Sequence, residues 1–136
     1  MQMTNLESYA RSILRIVVGF LFCCHGLQKL VGMFGGMGGR GAVAAFPSLL
    51  WFAAVLETVG GLVIVIGLCT RPVAFVLCGE MAVAYFRSHA PRGVWPIRNG
   101  GELAVLFCFI YLYLSAAGAG PISVDRLLRR GKKTTP

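Results

Sequence analysis

The sequence predicts an all-α integral membrane protein, a four-helix bundle with both termini in the cytoplasm. Composition is the first reason: 57% of the 136 residues are hydrophobic and 13% are charged, against roughly 25% charged in soluble domains. Mean hydropathy is +0.74. The second reason is four apolar stretches, at about residues 12–30, 49–68, 72–89 and 101–118. At 1.5 Å rise per residue, stretches of this length approach or reach the roughly 30 Å of a bilayer's hydrocarbon core. The third is where the basic residues fall. Four spans place Arg11, Arg71, Arg126, Arg129, Arg130, Lys132 and Lys133 on one side, with Arg40, Arg87, Arg92 and Arg98 opposite and Lys29 at that edge. Lys and Arg favour the cytoplasmic side, which sets the ends inside. A chain this short makes a single domain, residues 1–136.

The same counts exclude other classes. A net charge of +8 would suit nucleic acid, but the basic residues sit between and after apolar runs and form no basic face. The five cysteines, Cys23, Cys24, Cys69, Cys78 and Cys108, make no CxxC pair, and no Cys/His cluster has zinc spacing. No metal site is expected. Inside apolar spans cysteine behaves as a small hydrophobe, although a redox pair across helices stays open.

The elements follow in order. Met1 to Arg11 is a short polar lead, and Ser12 to Leu30 the first span. A signal peptide would share its basic lead and apolar run, but no small-residue cleavage site precedes Gly32 and His25 and Lys29 close the run, so a retained helix is expected. Val31 to Pro47, VGMFGGMGGRGAVAAFP, reads as a glycine-rich loop or a lid over a cavity. Its match to GxGxxG carries nothing, because no strand precedes it. Leu49 to Leu68 is apolar on all sides except Glu57, which Gly60 and Gly61 follow at i+3 and i+4. Pro72 suits the first turn of the third span, which carries Glu80 and leaves through Tyr85, Phe86, Arg87 and His89, an interface belt. Asn99 and Glu102 have capping-box spacing at the start of the fourth span. The basic tail, residues 121–136, is expected at the membrane surface.

Charges within spans are expensive and should face partners or a wet cavity. Arg15 and Lys29 are 14 positions apart, about 21 Å of rise, and so lie near opposite interfaces. Glu57 and Glu80 should both arrive near the midplane. A polar shaft open to the outside would bring together His25, Lys29, Glu57, Arg98 and Glu102. It could hold a quinone or quinol head group, with Lys29 or His25 donating to a ring oxygen and Glu57 exchanging the proton. The plainer account keeps equal standing: Glu57 pairs with Lys29 and Glu80 with Arg15 to hold helices in register, His25 bonds a backbone carbonyl, and Glu102 is a cap. Haem between His25 and His89 has no further support.

Four segments in order carry a family resemblance. They are Arg15…Gly19…Phe20…Gly26…Lys29, Glu57-x-x-Gly60-Gly61-x5-Gly67-Leu68 with Thr70-Arg71, the mid-helix Glu80, and Arg98-Asn99-Gly100-Gly101-Glu102 closing through Gly118, Gly120, Ser123 and Asp125. Over residues 10 to 128 the chain resembles DoxX family membrane proteins. The resemblance implies a multi-pass protein of the bacterial inner (plasma) membrane, linked to oxidative and thiol stress. It implies no agreed catalytic residues. The expected function is a quinone-linked redox component, alone or as a small subunit of an oxidoreductase complex. A non-enzymatic scaffold that recruits a soluble redox enzyme, and a small-molecule or proton carrier resting on Glu57 and Glu80, are the alternatives. Gly60, Gly61, Gly67 and Gly118 offer small-residue surfaces for a homo-oligomer.

Overall fold

A computed structural model describes residues 5–131. Met1 to Thr4 of the polar lead, and the tail beyond Gly131 with Lys132 and Lys133, lie outside the described residues. Those described are helical, with no β-strand. They form two compact units, one built from the chain up to Thr70 plus the segment from Ala119 onward, the other from Arg71–Gly118.

The first unit is dominated by α1 (Asn5–Val31) and α2 (Leu49–Ile66). Helix α1 starts inside the predicted polar lead. Nothing from Asn5 onward breaks a helix, and Glu7 in the first turn complements the positive end of the dipole. Helix α2 starts at the expected residue because the Ser48 side chain caps it, accepting the Trp51 N–H at 3.1 Å. It stops two residues early at Gly67, whose φ of +72° lets its N–H close back on the carbonyls of Val63 and Ile64.

Each helix buries one face at i, i+3, i+4 spacing. On α1 that face is Ser12, Arg15, Val18, Gly19, Phe22, Cys23 and Gly26; on α2 it is Ala54, Glu57, Gly60, Gly61 and Ile64. Small residues dominate both, so the backbones nearly touch. A Cβ on Gly61 would stand 2.7 Å from the Cys23 nitrogen and 2.8 Å from the Gly19 oxygen. One on Gly19 would stand 2.8 Å from the Gly61 oxygen. Gly61→Ala should therefore force the helices apart and cost about 1–3 kcal/mol, read as a lower melting temperature in detergent. Gly79→Ala, where a Cβ meets open space, should leave the melting temperature unchanged or slightly raised.

The distribution of side chains is inside out. Arg15 is 0% and Glu57 2% exposed, whereas Phe52 is 57%, Val59 55% and Leu62 54% exposed. Water would penalise that arrangement and hydrocarbon favours it. Both α1 and α2 are long and apolar enough to cross a membrane.

The glycine-rich connection is built of turns. Met33–Gly35 makes a 3-10 turn, Met37 N–H bonds Ala42 O at 2.8 Å, and Ala44 N–H returns to Lys29 O at 2.7 Å. Gly36, at φ +65°, packs so tightly that a Cβ would meet the Gly41 Cα at 2.6 Å. The loop thus ends hydrogen-bonded to the last turn of α1.

In the second unit α3 (Thr70–Ala84) continues through a π-helical turn, Tyr85–His89, and a 3-10 turn, Ala90–Arg92. The helical run thus extends past the expected 72–89 at both ends. A short α4 (Pro96–Asn99) precedes α5 (Glu102–Ala117). Arg71 lies by Gly118, Cys78 by Cys108 and Tyr85 by Gly101, so α3 and α5 run antiparallel. The expected capping box does not form. Asn99 ends α4, the chain turns at Gly100, and Gly101 is the N-cap of α5 without a side-chain cap bond. The Asn99 side chain instead accepts the Gly101 N–H at 2.8 Å and donates to Gly93 O at 2.8 Å and Tyr85 Oη at 3.4 Å. The first unit ends in α6 (Val124–Gly131), which exposes Leu127 and Leu128 among Arg126, Arg129 and Arg130.

Candidate functional site

The close approach of α1 and α2 sets the site. Gly26 packs on Ala54 and Thr58, and one helical step from that contact lie Lys29 on α1 and Glu57 on α2. The Lys29 ammonium donates to Glu57 Oε1 in a salt bridge. Its side chain keeps 23% exposure, while that of Glu57 keeps 3%. His25, one turn before Lys29 on the same face, is within electrostatic range of both charges. The structure thus brings together His25, Lys29 and Glu57 of the expected set. Glu57 Oε2 is buried and has no hydrogen-bond partner among the described residues. Such an oxygen is costly to leave unmade, and it accepts any O–H or N–H donor that reaches it.

The remaining expected residues belong to the second unit, apart from Arg15. Arg98, in α4, and Glu102, opening α5, are both exposed in the second unit. Glu80 is half-buried in α3. Arg15 donates to backbone carbonyls. Its Nε donates to Ala119 O at 2.9 Å, Nη1 to Ile64 O and Val65 O, and Nη2 to Ile122 O. Two of those carbonyls belong to the last turn of α2, where the helix dipole is negative, and Ile64 O also accepts the Gly67 N–H at 3.1 Å. A planar fork with five donors reaches four oxygens on two segments, which a point charge cannot.

Sequence reasoning missed the rest of this knot. Asp125 lies within Coulombic range of Arg15. Its carboxylate accepts the N–H groups of Cys69 at 2.7 Å and Thr70 at 2.9 Å, at the end of the first unit's leading segment. The Asp125 N–H bonds Gly67 O at 2.9 Å, and Ser12 Oγ accepts the Ile122 N–H at 3.2 Å. Helix-end residues with unpaired N–H groups near a lone downstream Asp were the available signal.

An all-helical chain that buries an arginine and an ion pair while exposing rows of Phe, Leu and Val is a membrane protein. More particularly, the chain belongs to the DoxX family, whose model matches residues 10–90. An uncharacterized protein of Haemophilus influenzae is 44% identical over 130 residues, covering 90% of this chain and 96% of its own. Inner membrane protein YqjF of Escherichia coli is 30% identical over 94% of this chain and 98% of its own. A Bacillus subtilis protein named as a candidate oxidoreductase, CatD, is 26% identical over 89% of this chain and 88% of its own. No solved structure matches.

Proposed function

We propose that the protein is a four-span component of the bacterial inner membrane that serves quinone-linked redox chemistry, with His25, Lys29 and Glu57 receiving a quinone or quinol head group. One observation carries the reading: Glu57 Oε2 is a buried oxygen acceptor with no hydrogen-bond partner among the described residues, with the Lys29 ammonium on Oε1 and the His25 imidazole within electrostatic range. The family membership and the oxidoreductase name of CatD agree with it. On this proposal the helical run from Thr70 to Arg92 and the apolar α5 are the third and fourth spans, beside α1 and α2, which are long and apolar enough to cross. The arginines of α6 beside exposed Leu127 and Leu128 support a cytoplasmic placement of that helix.

A quinol supplies two electrons and two protons when it is oxidised. Glu57 accepts a hydroxyl hydrogen bond at Oε2 and takes the proton there. Lys29 holds Oε1, which fixes the carboxylate's direction and balances its charge before the proton arrives. His25, one turn before Lys29 on the same face of α1, is the other candidate donor to a ring oxygen. Arg98 and Glu102 are no part of this assignment.

Glu57→Gln keeps the shape and removes the proton acceptor. Binding of a quinone analogue to the detergent-purified variant should fall at least about tenfold, the worth of one charge-assisted hydrogen bond. Lipids extracted from the native protein should contain a quinone that the variant lacks. Unchanged binding together with a lowered melting temperature would leave Lys29–Glu57 as a structural pair and overturn the proposal.

A further inference from the structure

Two cysteines that the quinone reading does not use face each other in the second unit. Cys78 stands six residues before the end of α3 and Cys108 six residues after the start of α5, matching heights on antiparallel helices. Their sulfurs are 3.7 Å apart, and both thiols are free and half-buried. A disulfide needs the sulfurs at about 2.05 Å, so closing it requires the two sulfurs to approach by about 1.7 Å. Cys23, Cys24 and Cys69 have no sulfur partner among the described residues.

We infer that Cys78 and Cys108 are an oxidation site, a dithiol that a lipid-soluble hydroperoxide converts to a disulfide joining α3 and α5. The surroundings select the oxidant. Phe75 and Val76 beside Cys78, and Leu106, Phe109 and Leu112 around Cys108, are exposed, so a solute approaching these thiols crosses an apolar surface. That choice rests on the placement of α3 and α5 in the bilayer made above; the pairing of the thiols does not. In the first step a thiol sulfur attacks the hydroperoxide. The O–O bond breaks, an S–O bond forms, and an alcohol leaves with a sulfenic acid remaining on the protein. In the second, the other sulfur attacks the sulfenic sulfur. The S–S bond forms, the S–O bond breaks, and water departs carrying the second thiol's proton. Two sulfurs are oxidised by one electron each and the peroxide O–O bond is reduced by two.

Membranes containing the full chain are treated with cumene hydroperoxide or, in parallel, hydrogen peroxide. They are then denatured, alkylated with a maleimide and mapped by peptide mass spectrometry. Cys78 and Cys108 should lose alkylation together, appear in one linked peptide, and regain it after dithiothreitol. In Cys78→Ser, Cys108 should stop at a sulfenic acid that dimedone traps. Full alkylation of both residues, independent oxidation to sulfinic acids, or pairing of Cys108 with another cysteine would overturn the site. Equal closure by both peroxides would overturn the lipid-soluble oxidant. Glu57→Gln should close the disulfide as the native chain does, which separates this outcome from the fate of the quinone reading.

Discussion

Arg15→Leu should be the most damaging single substitution in the described chain, lowering stability by about 4 kcal/mol or more. Leucine fits the apolar length of the side chain but leaves the carbonyls of Val65, Ala119 and Ile122 without the guanidinium, while Ile64 O keeps only the Gly67 N–H. Each buried carbonyl so stranded costs about 1–3 kcal/mol, partly recovered where the segment relaxes. Arg15→Lys should recover only a fraction, because a single ammonium cannot span the four oxygens. Unfolding by denaturing detergent, followed by helical circular dichroism, checks both variants. A loss under about 1 kcal/mol for Arg15→Leu would mean that the carbonyls find other donors and that the guanidinium ties nothing together.

The second large effect is expected at Lys29. Lys29→Met removes the cation and leaves the Glu57 carboxylate buried with neither oxygen paired by an ammonium. The expected cost is about 3–5 kcal/mol, the range for breaking one partner of a buried pair. Adding Glu57→Gln to Lys29→Met should restore most of it, since the double variant buries no unpaired charge. The four melting curves form a double-mutant cycle whose coupling energy isolates the pair. Additive losses would show that Lys29 stabilises the fold by contacts other than Glu57.

Helix positions were legible wherever a local signal set them. Leu49 was readable as the start of α2 because Ser48 caps it, and the Lys29–Glu57 contact because both residues stand in apolar runs that must bury them. Long-range satisfaction was not legible. Arg15 looked like an ion-pair partner, since a sequence shows carboxylates and hides carbonyls, and every residue carries a carbonyl. The Asn99–Glu102 spacing fits a capping box, but the turn at Gly100 takes Asn99 out of register. Asp125 stood in plain view within a resembling segment, yet its role depends on N–H groups at Cys69 and Thr70. Cys78 and Cys108 became a pair only once α3 and α5 were known to run antiparallel.

The carbonyl cradle of Arg15 also imposes an order on biogenesis. When α2 has followed α1 off the ribosome, the guanidinium can reach Ile64 and Val65, but Ala119 and Ile122 do not yet exist. The same holds for the N–H groups of Cys69 and Thr70, which wait for Asp125. The pair of helices α1 and α2 is therefore first made with its cation half-coordinated. Translation of Ala119 to Asp125 supplies the missing partners, so α1 and the end of α2 are fully secured only by a segment made more than 50 residues after them.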